Sequence, residues 1–201
     1  MSSIMMNIST AFIFLALGTW VSSLITRQTL WRWLIVAVVL ILSLSIPVVD
    51  SNPWLWINGA TGELSIVSLI LLAGFILRKL TGRGFLSSST RIHLYILMLL
   101  AGVLLFPATL GLTQFDPYVL GYGFEISLLL LSLSILYWIF KQRQIAMILL
   151  TVVAAGEAGI LSSFNGWDYF IDPLLWLFSP VLLIILLIEK RKADPLSGIE
   201  N

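Results

Sequence analysis

Seven carboxylates provide the chemistry that this 201-residue sequence offers most clearly. Carboxylate oxygens bind cations and attract basic segments of other proteins, and they can exchange protons. Each of the seven stands in or beside a long apolar stretch, where a charge is costly unless it faces water or has a partner. The candidate binding residues, with the question of a metal ion left open, are Glu157, Glu63, Glu125, Asp50, Asp116, Asp168 and Asp172.

Other reactive side chains are scarce. The chain has no cysteine and one histidine, so a single copy cannot build a thiolate metal site, a two-histidine haem site or a three-histidine zinc site. The His and Cys sets of hydrolases are also missing. We expect no cofactor, and an enzyme is the least supported class of function. Acid chemistry by Glu157 together with Glu125 or Asp168 stays open.

The elements that must position these acids are membrane helices. Hydrophobic types make up 59% of the residues and charged types 10%, against about 25% charged residues in a soluble domain. A spanning helix needs about 20 mostly apolar residues. The sequence predicts an all-α integral membrane protein with a bundle of about seven transmembrane helices, at residues 8–25, 33–49, 64–77, 92–110, 124–140, 145–163 and 173–188.

The basic residues orient this bundle. All eleven Lys and Arg residues fall between spans one and two, three and four, or five and six, or after span seven. They therefore share one side of the membrane, which the positive-inside rule makes cytoplasmic. We predict an outside N-terminus and a cytoplasmic C-terminus in the cell (inner) membrane. Residues 1–188 form a single polytopic domain and 189–201 a short cytoplasmic tail.

The predicted outer loops are acidic and resemble one another. Residues 47–65 and 107–127 both contain Pro, Asp, Pro, an aromatic residue, Gly, Glu and Ser in that order, which suggests two tandem helical hairpins. The third outer loop keeps the Asp-Pro and aromatic elements. The acids could converge on one outer vestibule that attracts cations. Alternatively, Glu63 and Glu125 only favour the starts of helices, where the macrodipole stabilises a carboxylate.

Glu157 is the candidate acid that lies deepest inside a predicted span. It lies twelve residues after Ile145, about 18 Å along a helix, which is past the midplane of a bilayer core about 30 Å thick. Small residues on both sides leave room for another helix, water or a ligand. Glu157 is therefore either a protonated, hydrogen-bonded packing residue or a site for a proton or cation.

Two functions follow from these features. The first is a transporter or channel-like protein for a cation or a proton-coupled small polar solute. The alternative is a non-catalytic membrane subunit or assembly partner of a larger membrane complex, for which small-residue patches and modest loops are suited. The expected partners are the lipid bilayer and either a solute or other membrane subunits. A net charge of +1 gives no reason to expect nucleic acid.

The predicted topology is testable with reporter fusions. Fusions near Arg83, Lys141 and the C-terminus should report the cytoplasm, and fusions near Asn58 and Asn165 should report the exterior. Each span gained or lost inverts every later segment. A single outer-loop fusion that reports the cytoplasm would therefore contradict the seven-span arrangement.

Overall fold

A computed structural model describes residues 2–45 and 53–193, and all their regular elements are helices. The predicted candidate Asp50 lies outside these described residues. The long helices are α1 (Ser2–Ile25), α2 (Thr29–Ser45), α4 (Ile66–Thr81), α5 (Ser88–Thr109), α6 (Glu125–Ile139), α7 (Arg143–Glu157) and α9 (Pro173–Ala193). The short ones are α3 (Pro53–Thr61), a 3-10 helix η1 (Pro117–Tyr122) and α8 (Gly166–Phe170).

After α1, the chain repeats one arrangement three times. A long helix is followed by a short helix and then by a second long helix, as α2-α3-α4, α5-η1-α6 and α7-α8-α9. The two loops that resemble each other in sequence contain α3 and η1, and the third loop contains α8. The hairpin order predicted from two of the loops therefore extends to the third.

Each of the seven predicted spans overlaps one long helix. Three helical segments are both long and apolar enough to cross a membrane, namely Ile4–Ile25, Ser88–Ala108 and Pro173–Lys192. The apolar segments Thr29–Ser45 and Glu125–Ile139 are shorter. The helices α4 and α7, of 16 and 15 residues, are only about 22–24 Å long. Membrane association is thus supported by three helices, and the count of seven spans stays a prediction.

The end of α7 differs from the prediction and moves Glu157. The predicted span continued to residue 163, but α7 ends at Glu157, whose side chain is exposed. Gly159 adopts a left-handed conformation with φ of 60°. Its N–H bonds to the Gly156 carbonyl, and the Ile160 N–H bonds to the Ala155 carbonyl, at 3.0 and 3.2 Å. This is a Schellman ending, and it places Glu157 on the last turn of its helix rather than inside a continuous span.

The helices enclose one main core. Its fully buried members include Leu94, Met98 and Leu149, and the core continues to Trp167 and Phe170 on the short α8. A smaller cluster around Val36, Ile76 and Leu80 joins α2 to α4. Many other apolar side chains are exposed along α2, α5, α6 and α9, as expected for helices whose surroundings are lipid.

The starts and ends of the helices gather at two opposite ends of the bundle. At one of them, Asp172 at the start of α9 accepts from the Ser65 N–H at the start of α4, at 3.1 Å. The Ser127 hydroxyl near the start of α6 donates to Glu157 at the end of α7, at 3.4 Å. The short helices α8 and η1 also contact this end. All six described candidate acids lie here, so we name it the acidic end.

The opposite end carries the basic residues. Arg32 near the start of α2 donates to the Lys79 carbonyl at the end of α4, at 2.6 Å. Arg91 near the start of α5 interacts electrostatically with Glu189 near the end of α9. This basic end holds Arg27, Arg32, Arg78, Lys79, Arg83, Arg91, Lys141, Arg143, Lys190, Arg191 and Lys192.

The crossing of α5 and α9 depends on Gly102. A Cβ atom at Gly102 would lie 2.0 Å from the Trp176 ring, and that ring is held against Phe106 at a centroid distance of 4.6 Å. Only glycine lets the two helices approach this closely.

Gly102→Ala should therefore destabilise the fold by about 1–3 kcal/mol, the usual cost of overpacking. The matched control is Gly59→Ala in α3, where an added Cβ meets nothing within 4 Å and alanine favours the helix. Reversible unfolding in mixed detergent micelles measures both. Equal stability of the two variants would contradict the close approach.

Candidate functional site

The acidic end is organised by a group of connecting segments. We name η1, residues 158–165 and α8 together the loop platform. Asn165 is fully buried within it and caps α8 by accepting from the Trp167 N–H at 2.9 Å. Its side-chain amide donates to the Tyr118 carbonyl at 2.9 Å, and the Trp167 indole donates to the Pro117 carbonyl at 3.0 Å. These bonds fix η1 against α8.

A glycine makes this contact possible. A Cβ atom at Gly121 would lie 1.8 Å from the side-chain oxygen of Asn165. The backbone of η1 therefore rests directly on the capping amide of α8. The sequence analysis singled out Asp168 but not Asn165 or Gly121. The one available signal was the spacing of Asn165 and Asp168, three residues apart, which is typical of a helix N-terminus.

Asp168 joins the parts of the loop platform by hydrogen bonds. Its carboxylate accepts from the Tyr118 hydroxyl at 2.8 Å and from the Ser163 hydroxyl at 2.5 Å. Burial raises the pKa of Tyr118 well above its usual range, and the hydrogen bond and negative charge of Asp168 raise that pKa further. Tyr118 therefore stays a hydrogen-bond donor at every physiological pH.

Glu63 holds the same segment from the other side. Its Oε2 atom accepts from the backbone N–H and the hydroxyl of Ser162 at 2.6 and 2.7 Å. Its Oε1 atom is buried and has no hydrogen-bond partner among the described residues. The Tyr169 hydroxyl accepts from the Leu161 N–H at 3.1 Å, and burial raises the pKa of Tyr169. Residues 161–163 are thus held by two acids and a tyrosine.

Asp172 is the most buried of the described candidate acids, with 7% of its surface exposed. Its Oδ1 atom caps α9 by accepting from the Leu175 N–H at 2.8 Å. Its Oδ2 atom accepts from the Ser65 N–H at 3.1 Å and the Ser68 hydroxyl at 2.5 Å. One carboxylate therefore joins the starts of α4 and α9.

The other three described candidates are exposed. Asp116 caps η1 through the Tyr118 N–H at 3.0 Å. Glu125 is the first residue of α6, and its carboxylate folds back over Gly123. Among the described residues, Glu157 accepts the long hydrogen bond from Ser127. Burial therefore divides the described acids into an inner set, which joins segments of this chain, and an outer set, which faces outward.

One cavity lined by described residues lies apart from the candidate acids. A cavity of about 390 Å³ lies between α1, α4 and α7, but its lining is apolar except for Thr151 and contains no candidate acid. No three His or acidic side chains lie close enough to hold a metal ion within residues 2–45 and 53–193. The acids found together are Glu63 and Asp168, which lie on either side of Ser162 and Ser163.

Aromatic side chains are exposed on the same platform. Phe164 is 91% exposed although its neighbours Ser163 and Asn165 are held by hydrogen bonds. Tyr122, next to Gly121, is 65% exposed, and Phe124 is 72% exposed. Because Gly121 touches Asn165, Tyr122 and Phe164 project from neighbouring points of the backbone. Exposed rings thus lie on the platform and next to it, and the outward-facing Asp116, Glu125 and Glu157 border it in the chain.

Asp172 and Asp116 each cap a helix that begins with proline. Replacing each of them tests whether the buried acid also joins two helices. Asp172→Ala should lower the free energy of unfolding by about 3 kcal/mol, because it leaves buried hydrogen-bond donors from two helices unsatisfied. Asp116→Ala removes a similar cap from an exposed loop and should cost about 1 kcal/mol or less. Unfolding in mixed micelles gives both values, and equal losses would show that Asp172 is only a local cap.

Comparison with known proteins identifies no relative of this chain. No protein-family model, curated protein or solved structure matches the chain. The roles of the residues at the acidic end therefore rest on their contacts and chemistry.

Proposed function

We propose that this is a multi-pass protein of the cell membrane and a non-catalytic subunit or assembly partner of a larger membrane complex. In this proposal the loop platform is the surface that meets the partner. The observation that carries it is Phe164, an almost fully exposed ring on a backbone segment that hydrogen bonds hold rigid.

The character of the surface supports an interface with protein. Interface centres are enriched in aromatic side chains, and their rims are polar. A rigid ring also loses little conformational entropy on binding, because its backbone is already ordered. Asp116 and Glu125 are exposed near the aromatic residues, so they would form an acidic rim. Such a rim favours a partner whose facing segment is basic.

The inner acids support this proposal indirectly. Glu63, Asp168 and Asp172 are engaged with backbone N–H groups and hydroxyls of this same chain. Their described bonds give each of them a structural role. The apolar lining of the 390 Å³ cavity also offers no polar path for a solute.

The separation of charges supports the orientation. Basic residues occupy one end of the bundle and candidate acids the other, which is the sorting expected when the basic end faces the cytoplasm. We therefore propose that the N-terminus and the loop platform are outside and the C-terminus is cytoplasmic.

Cross-linking in native membranes followed by purification tests the interface. The parent chain should copurify with one partner at fixed stoichiometry. Phe164→Ala should weaken that association roughly thirtyfold, as expected for a hot-spot residue. Phe178→Ala is the matched control, because Phe178 is 55% exposed but lies within α9. A partner retained by Phe164→Ala, or a parent that purifies alone, would contradict the proposal.

The transporter function remains a second candidate because of the unpartnered Oε1 atom of Glu63 and the exposed carboxylate of Glu157. It predicts that a cation such as Na⁺ or K⁺ stabilises the purified chain. It also predicts that Glu63→Gln or Glu157→Gln removes this stabilisation while the fold is retained. Stabilisation by a cation without a copurifying partner would favour transport over assembly.

A further inference from the structure

Arg91 at the start of α5 has a guanidinium group whose hydrogen bonds are incomplete. It stands on the core-facing side of the helix, because Leu94 and Tyr95 follow it on the same face and both are buried. The Arg91 Nη2 atom donates to the Ser88 hydroxyl at 3.2 Å. Its Nε atom is buried and has no hydrogen-bond partner among the described residues. A buried donor on a charged group is costly without an acceptor, so Arg91 favours an additional one.

A second guanidinium group is directed to the same place. The side chain of Arg78, near the end of α4, lies over the connection from α4 to α5, because a Cβ atom at Gly84 would lie 3.6 Å from both the Cγ and Cδ atoms of Arg78. The bond to Ser88 turns Arg91 toward the other end of this connection. Arg78 and Arg91 are close enough to repel each other electrostatically. Two positive charges therefore meet where α5 begins, and an anion between them would remove their repulsion.

The described acids leave this pair of charges incompletely balanced. Glu189, near the end of α9, attracts Arg91, but it is exposed, and one carboxylate cannot balance two guanidinium groups. The six described candidate acids lie at the acidic end, on the opposite side of the bundle. The start of α5 also favours an anion in its own right, because the first N–H groups and the macrodipole of a helix attract negative charge. This place therefore combines excess positive charge with unsatisfied hydrogen-bond donors.

We propose that the start of α5 binds a phosphate group, which is held by Arg78, Arg91 and the Ser88 hydroxyl. Arginine binds phosphate oxygens through strong, charge-assisted hydrogen bonds that are often paired. A phosphate group has several acceptor oxygens, so one group would bond both guanidinium groups at once. The same chemistry is found in an anionic lipid headgroup and in soluble phosphate, and basic sites between membrane helices bind such headgroups. The site is independent of the loop platform, which lies at the opposite end.

Native mass spectrometry of the full chain with phosphatidic acid, and thermal unfolding with inorganic phosphate, test the two sources of the phosphate. For a lipid, phosphatidic acid should bind, and Arg78→Gln with Arg91→Gln should weaken its binding roughly thirtyfold, because each basic residue near an anionic lipid contributes about fivefold. For a soluble ligand, inorganic phosphate should protect the parent, and the double variant should lose that protection. Arg27→Gln with Arg143→Gln is the matched control, because both residues are exposed and the Arg143 guanidinium lies 5.6 Å from the centroid of the Trp138 ring.

A conservative variant keeps the proposal testable if the double variant does not fold. Arg91→Lys keeps the positive charge but replaces the planar guanidinium fork with one ammonium group, so it should fold and bind phosphate about fivefold more weakly. Asp194→Asn with Glu200→Gln tests the acids of the C-terminal tail as the acceptors of Arg91 instead. The proposal would be overturned by binding of neither probe, by equal losses in the control, by parent-like binding in Arg91→Lys, or by roughly thirtyfold tighter binding after Asp194 and Glu200 are replaced.

Discussion

The structure depends on satisfying the backbone N–H groups where helices begin at the acidic end. The first N–H groups of a helix have no partner within it, and a bundle in lipid has little water with which to satisfy them. Carboxylates and hydroxyls perform this task here. Asp172 serves the starts of two helices at once, while Ser65 and Asn165 cap α4 and α8. The positions of the helices follow from these shared acceptors.

This use of acids gives the two ends of the bundle different properties. At the acidic end, the inner carboxylates accept hydrogen bonds from donors of the same chain. These bonds hold the loop platform rigid, and aromatic rings on it remain exposed. At the basic end, most Lys and Arg side chains are exposed, so their charges remain available to groups outside the bundle. One end is thus suited to shape recognition and the other to electrostatic attraction.

Composition and periodicity were sufficient to predict the helices because lipid imposes a simple rule on long apolar segments. All seven predicted spans overlap long helices. The predicted end of the sixth span at residue 163 was wrong because a left-handed Gly159 ends α7 early, and the apolar residues after it resemble more of the span. The sequence suggested that Glu63 and Glu125 stand at the starts of helices. Glu125 is the first residue of α6, but Ser65 and not Glu63 caps α4. The caps formed by Asp116 and Asp172 were not predicted.

The sequence pattern could not predict the contacts between segments that are distant in the chain. Tyr118 and Asp168 are fifty residues apart. Gly121 and Asn165 are 44 residues apart. No local pattern pairs either set. The exposure of Phe164 was equally hidden, because an aromatic residue in such a chain is as suited to the core as to an interface. Only the tertiary structure shows which of these two positions an aromatic residue takes.

The short helices have a consequence for the surrounding bilayer. In the proposed arrangement, α4 and α7 are about 22–24 Å long, whereas a hydrocarbon core is about 30 Å thick. This hydrophobic mismatch must be met by local thinning of the bilayer, at a cost of a fraction of a kcal/mol for each ångström. The deformation would centre on these two helices. The protein would accordingly partition into thinner regions of membrane.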